Sequence, residues 1–252
     1  MIELQPFLPA AYRLVLRETV GSTNDEAKGF AREGAAEGTV VWALEQTAGR
    51  GRRGRFWSSP RGNLYASLIL RPGYSPGRAA QLGFAAALAA CDAVHELAPD
   101  IEAPACKWPN DVLAGGRKIA GILLESEIGK GENLAFLIVG IGINLVSAPS
   151  DAAFPATSIA GEGYPPPTAK AALEAFTRHF ELWARRWRAE GFGPVRDAWR
   201  MRAIALGEQI QVRLDTATLQ GKFIDIDQQG TLLLETEGEV RLIQAGDVFP
   251  VR

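Results

Sequence analysis

Apolar positions gather within residues 12–19, which read as a strand, and Gly21 ends that run. Ser22 then stands where a helix N-cap belongs, and Asp25, three residues on, supplies a variant of the capping box. Residues 39–45 are β-rich. Residues 47–63 are crowded with Gly, Arg and Ser and read as a long loop, and residues 64–70 alternate like a strand. Residues 78–97, rich in Ala and Leu, fit one packed helix. Residues 105–113 and 117–125 flank Gly115-Gly116, which marks a two-residue hairpin. A further strand covers 134–145. Residues 168–188 have helical spacing through Leu173, Phe176, Phe180, Trp183 and Trp187, a core-packing stripe.

After Leu206 the texture changes. Residues 209–214, 221–227, 231–235 and 239–244 are short β-like runs separated by the turn at 227–230 and by Gly238. They predict a small antiparallel barrel, too small to be stable alone and so expected to dock on the rest. The chain of 252 residues thus divides into a large α+β domain, 1–205, with a mixed sheet and helices, and a small β domain, 206–252.

Composition narrows the function. Hydrophobic residues make up 47%, enough for a well-buried core. Lys plus Arg is 27 against 29 for Asp plus Glu, a net charge of -2, so no general affinity for DNA is expected and any basic site is local. Cys91 and Cys106 form no CxxC or Cys/His cluster and read as two buried thiols in a reducing compartment, although one disulfide stays open. The N-terminus lacks the basic and apolar regions of a signal peptide. The apolar runs near 82–90 and 134–143 fall short of the ~20 residues a membrane span needs. A soluble, cytoplasmic protein without membrane contact is expected. The two histidines, His95 and His179, both lie in helical stretches, which speaks against histidine-based nucleophilic catalysis, and no G-x-x-x-x-G-K-[ST] phosphate loop is present.

Three constellations carry chemistry. Gly49-Arg50-Gly51-Arg52-Arg53-Gly54 formally fits G-x-G-x-x-G, but residues 56–63 with Pro60 follow instead of a helix, which excludes the dinucleotide-binding turn. Its glycines let backbone approach an anion, and its arginines offer forked donors to phosphate or carboxylate; a solvated basic loop is the alternative. Lys107-Trp108-Pro109-Asn110-Asp111 leads into Lys118-Ile119-Ala120-Gly121, where a lysine among apolar residues calls for an anionic partner unless it snorkels to the surface. In a regular strand Lys118 and Gly121 face opposite ways, so a shared pocket requires a bulge or a loop approach, and Gly121 would suit a bulge. In Gly140-Ile141-Gly142-Ile143-Asn144, alternation puts both glycines and the amide on one face, a slot for a flat ligand or simply a site of close sheet packing.

In order, Gly21-Ser22-Thr23-Asn24, the run from Glu45-Gln46 to Phe56-Trp57, Lys107-Trp108-Pro109-Asn110-Asp111, Arg117-Lys118 to Leu124-Glu125, and Val139 to Leu145 resemble the biotin protein ligases. Any one of these motifs is weak; five in order are specific. The resemblance implies a catalytic fold similar to the core of class II aminoacyl-tRNA synthetases, with an SH3-like C-terminal module. It implies activation of biotin by ATP with Mg2+, through biotinyl-5′-AMP, and transfer to a lysine of an acceptor, by family expectation the biotin carboxyl carrier domain of acetyl-CoA carboxylase. A lipoate or octanoate ligase or transferase of the same fold is the alternative. The chain starts almost at the catalytic motifs, like family members without a DNA-binding domain. Its state is monomer or homodimer.

Carried over, Ser22, Thr23, Asn24 and Gln46 bind the biotin head group. Gly121 and Leu123 line its pocket and Gly140 and Gly142 form the floor. Arg50, Gly51 and Arg52 close over biotin and the adenylate phosphate. Lys118 contacts the biotin carboxylate and the reacting phosphate; with Arg50 and Arg52 it is the catalytic set. Trp57 borders the adenine, Asn144 contacts it, and Asn110 and Asp111 organise the phosphate and metal region, with no metal ligands assigned. Phe56 stands where the family commonly has a basic residue.

Overall fold

The computed structural model describes residues 5–251 apart from Lys130, Asp151 and Ala153. A seven-stranded mixed sheet runs in the order β1-β2-β3-β7-β6-β5-β4, from β1 (Arg13–Val20), β2 (Thr39–Gln46), β3 (Leu64–Leu70), β4 (Ala105–Lys107), β5 (Asp111–Ala114), β6 (Arg117–Ile128) and β7 (Leu134–Ile143). β1 and β2 pair in parallel around the helix α1 (Thr23–Arg32); every other neighbour is antiparallel.

The two faces of the sheet are filled differently. Trp42, Leu68, Val139 and Ile141 belong to the main core with Leu88 of α3 (Leu82–Leu97) and Phe176 and Phe180 of α4 (Ala169–Glu190). On the opposite face Val41, Ile69, Phe136 and Ile138 form a smaller cluster with Ala27 and Ala31 of α1, against which Val15, Phe30, Ala35 and Ala135 pack. Pairing then sets two rows across that face: Ser67–Gly140–Leu123 and Tyr65–Gly142–Gly121. α1 begins over the first of these rows, and the second lies beyond it. The candidate site occupies this uncovered part of the sheet.

A five-stranded antiparallel sheet, order β11-β10-β9-β8-β12, follows α5 (Gly193–Met201) and comprises β8 (Gln209–Arg213), β9 (Thr218–Ile226), β10 (Leu232–Thr236), β11 (Glu239–Ile243) and β12 (Asp247–Pro250). It docks as expected of a module too small to stand alone. Its Phe223, Ile226 and Leu232 join the main core, Trp108 Nε1 donates to Gly230 O at 3.1 Å, and a side chain at Gly230 would collide with the Phe84 ring.

Several expectations need correction. The stretch 78–97 is two helices, α2 (Pro76–Ala80) and α3, separated by Gln81, whose amide accepts from Trp187 Nε1 and donates to Gln228 O. Residues 105–113 form two short strands, β4 and β5, paired to each other across the Trp108–Pro109 turn. Ser22 does sit at the N-cap, but its side chain caps nothing, and Asp25 pairs with Lys28 and Arg50 rather than closing a capping box. β12 has one buried apolar residue, Val248, too little pattern to be read as a strand. The Gly115-Gly116 hairpin is present, both residues at positive φ (55° and 70°) as its turn type requires.

Candidate active site

β6 carries one more residue than β5 opposite it. Val112 pairs with Ala120 but Leu113 pairs with Lys118, leaving Ile119 as the bulged residue. The sequence called for a bulge or a loop approach here, with Gly121 suited to a bulge; the structure has the bulge, and the extra residue is Ile119 instead. Gly121 remains regularly paired with Gly142, and the bulge turns Lys118 to the same side, its Cε 3.2 Å from where a Gly121 Cβ would stand. The neighbouring backbone holds this arrangement: Ile119 O accepts from Asn144 N–H at 2.8 Å, and Lys118 pairs through backbone with residues 155 and 157.

Lys118 Nζ lies 2.5 Å from Asp111 Oδ1, and Lys107 Nζ lies 2.8 Å from Asp111 Oδ2. Burial pushes the Asp111 carboxyl up, but the two ammonium groups outweigh it and hold its pKa at about 2. Two cations around one buried carboxylate leave a net positive charge facing the cavity. Asn110 Nδ2 donates to Ile122 O at 2.5 Å.

At the far end, a hydrogen-bonded network joins α1, β2, β3 and β6. Gln46 Oε1 accepts from Thr23 N–H at 2.8 Å, and Gln46 Nε2 donates to Ser59 Oγ at 2.8 Å. Ser67 Oγ sits 2.8 Å from Thr23 Oγ1 and donates to Asn24 Oδ1 at 2.6 Å. Asn24 Nδ2 donates to Glu125 Oε2 at 2.7 Å, and the other Glu125 oxygen takes Lys28 Nζ at 2.9 Å. Burial pulls the Lys28 ammonium pKa down, but its bonds to Glu125 and Asp25 outweigh this and raise it, so Lys28 stays charged.

The Gly-Arg loop is an ordered turn. Arg50 and Phe56 form an antiparallel bridge, Gly51 N–H donates to Arg55 O at 2.7 Å, and no α-helix follows. A side chain at Gly49 would strike Trp57 O at 2.4 Å, which explains that glycine. Arg50 reaches Asp25 and, at 3.6 Å, Glu125. Arg55 pairs with Asp247 at 2.6 Å, Arg53 with Asp215 at 3.2 Å, and Arg52 Nη1 donates to Gly246 O at 3.3 Å. The loop therefore spans both domains. The Trp57 indole lies flat on Gly142 and Gly121: a Cβ on Gly142 would come within 2.7 Å of it, and its Nε1 is buried without a partner.

These parts enclose one cavity of about 200 Å³. Every expected site residue lines it: Ser22, Thr23, Asn24, Gln46, Arg50, Gly51, Arg52, Trp57, Asn110, Asp111, Lys118, Gly121, Leu123, Gly140, Gly142 and Asn144. Lys118 and Arg50 share the hollow, and Asn144 is held by Nδ2 donating to Thr157 O at 3.0 Å. Lys107, Phe154, Asp247 and Phe249 also line it, and sequence reasoning gave none of these a role. Lys107 stands in a motif already singled out; nothing local marks Asp247 and Phe249. Cys91 and Cys106 are buried free thiols, 3.5 Å apart and away from the cavity.

Residues 16–144 match the Biotin/lipoate A/B protein ligase family, and residues 205–249 match the Biotin protein ligase C terminal domain. The biotin--[acetyl-CoA-carboxylase] ligase of Paracoccus denitrificans is 42% identical over 90% of this chain and 96% of its own. The bifunctional ligase/repressor BirA of Bacillus subtilis is 35% identical over 93% of this chain and 73% of its own. The solved biotin protein ligase of Aquifex aeolicus in complex with biotin and ATP superposes with a TM-score of 0.79 at 27% identity, covering 95% of this chain and 99% of that one. The mixed sheet with helices, the C-terminal antiparallel module and these matches together establish that the chain belongs to the biotin protein ligases.

Proposed function

We infer that this chain activates biotin with ATP and transfers the biotinyl group to a lysine of an acceptor protein. One observation carries the reading: a glycine-floored, hydrogen-bonded slot opens onto Lys118 and Arg50 within a single cavity. In the first half-reaction a biotin carboxylate oxygen attacks the α-phosphorus of ATP. The bond to the β-phosphate oxygen breaks, and pyrophosphate leaves with the electron pair, giving biotinyl-5′-AMP. The nucleophile is already ionised, so no general base is needed, and the work is to position two anions and offset their repulsion. Lys118 and Arg50 supply that charge, and Arg52 helps the loop 49–63 cover the adenylate and exclude water. In the second half-reaction the acceptor amine attacks the acyl carbon, the bond to AMP breaks, and the amine proton passes to solvent.

Ser22, Thr23, Asn24 and Gln46 take the head group, with Gly121, Leu123, Gly140 and Gly142 around it. Trp57 and Asn144 serve the adenine, and Gly51 brings backbone to the phosphate. A Mg2+ ion accompanying the nucleotide is carried mostly by phosphate oxygens and water, so it asks little of the protein. The residues fit that demand: no cluster of three metal-ligating side chains exists among the described residues, while Asp111, kept ionised, faces the cavity with Asn110 beside it. When bound, the ion adds positive charge at the phosphates.

The proposed acceptor is the biotin carboxyl carrier domain of acetyl-CoA carboxylase, in keeping with the name of the Paracoccus relative. We assign catalysis to residues 1–205, with 206–252 latching the loop, in a cytoplasmic monomer or homodimer that does not bind DNA. No helix among the described residues is long and apolar enough to cross a membrane. A lipoate substrate fits less well: a dithiolane ring gives the Asn24–Gln46 network no N–H or carbonyl to recognise. Incubating the protein with biotin, Mg-ATP and a carrier domain tests the reading. The carrier should gain the mass of one biotinyl group; an unchanged carrier together with no biotin-dependent ATP–pyrophosphate exchange overturns it.

A further inference from the structure

Asn24 touches the slot directly, yet its amide has two orientations that differ in what they offer a ligand. The surroundings permit one. Glu125 Oε2 accepts from Nδ2 at 2.7 Å, Leu123 O lies 3.5 Å from the same nitrogen, and Ser67 donates to Oδ1 at 2.6 Å. Both Nδ2 protons are thus aimed at protein acceptors, and the only unused capacity on the side chain is the second lone pair of Oδ1. That oxygen lies against Gly140, where any Cβ would be 2.2 Å away. Asn24 can therefore accept from a ligand and cannot donate to one.

We propose that Glu125 is a positioning residue that locks Asn24 as an obligate acceptor, so that the slot selects a head group bearing a ring N–H. The inference rests on the biotin reading above and names what that reading leaves open, the source of head-group specificity. Glu125 does this because one of its oxygens takes Asn24 Nδ2 while the other faces two cations, Lys28 Nζ at 2.9 Å and Arg50 Nη2 at 3.6 Å. A carboxylate has two acceptor oxygens; a carboxamide has one. In Glu125→Gln the single oxygen goes to Lys28, the new amide nitrogen faces Asn24, and Asn24 must flip, presenting Nδ2 where the ligand N–H needs an acceptor. Ser67, fully buried, adapts by accepting instead of donating and so offers no resistance to the flip.

The test compares wild type, Glu125→Gln and the double variant Lys28→Met/Glu125→Gln in biotin-dependent ATP–pyrophosphate exchange, with calorimetric titration of biotin and of lipoate, which lacks any ring N–H. Glu125→Gln should raise the biotin KM about tenfold, the loss of one ligand hydrogen bond. Its kcat at saturating biotin should change less than its biotin KM, because Glu125 reaches the catalytic set only through Arg50 Nη2, 3.6 Å from the carboxylate. The weak binding of lipoate should be unaffected. Removing Lys28 frees the glutamine oxygen for Asn24, so the double variant should recover most of the biotin affinity. An unchanged biotin KM in Glu125→Gln overturns the proposal, and so does a parallel fall of kcat and affinity that the double variant fails to recover. Wild-type exchange is the separate control: its absence overturns the biotin reading itself, whereas exchange in wild type with an indifferent Glu125→Gln overturns only the role of Glu125.

Discussion

Ser67, Thr23 and Asn24 meet through short hydrogen bonds at 0–4% exposure, whereas the Arg50, Asp25 and Arg55 side chains at the mouth pair as ions with 37–53% of each in solvent. The buried network has fixed geometry, since breaking any link strands a polar group away from water. The pairs at the mouth are weak and screened, so an incoming phosphate can displace the acidic partners of the arginines at little cost. Recognition of shape belongs to the first region and exchange of charge to the second.

Lys118→Ala should break the comparison most severely, because it removes the cation both regions converge on. Biotin-dependent ATP–pyrophosphate exchange should fall about 10²-fold or more, while the melting temperature stays near wild type since Lys107 still pairs with Asp111; full exchange would remove Lys118 from the mechanism. Gly140→Ala strikes the rigid end. Its Cβ would stand 2.2 Å from Asn24 Oδ1, so we expect a loss of roughly 1–3 kcal/mol of stability and of about tenfold or more in biotin affinity, read by denaturation and calorimetry. Arg52→Gly should leave biotin affinity near wild type and increase escape of free biotinyl-5′-AMP by about tenfold, followed by adenylate release in single turnover; retention equal to wild type counts against a covering role for the loop. Asp247→Asn should be mildest, below about 1 kcal/mol, and its difference from wild type should vanish between low and high salt, because Arg55 and Asp247 are partly exposed.

The motifs themselves were legible, and their convergence on a cavity shared by Lys118 and Arg50 was what the family resemblance implied; charge type and glycine spacing alone left a solvated loop and a snorkelling lysine open. That Lys118 needs a bulge or a loop approach to share a face with Gly121 followed from alternation alone, but which of the two, and where, did not. Only pairing with Val112 and Leu113 makes Ile119 the extra residue. Ser67 was invisible because its role comes from lying opposite Gly140 on β3, a relation that strand order creates. Glu125 shares a face with Gly121 and Leu123 and was within reach of the same period-two argument. Asp247 meets Arg55 across 192 residues of chain, and no local pattern encodes such a meeting. The helix division at Gln81 was hidden because Ala and Leu on both sides keep the same periodicity.

Ile119 acts as a spacer of fixed length. A chain of the same length that paired regularly here, without the bulge at Ile119, could still zip β6 against β7, yet the ammonium group would emerge on the side where α3 packs. The sheet would survive while its reagent was carried through to the wrong surface. Loss of the bulge is therefore read out by chemistry before it is read out by folding, because a lysine three residues from a glycine shares its face only where the strand carries one residue more than its partner.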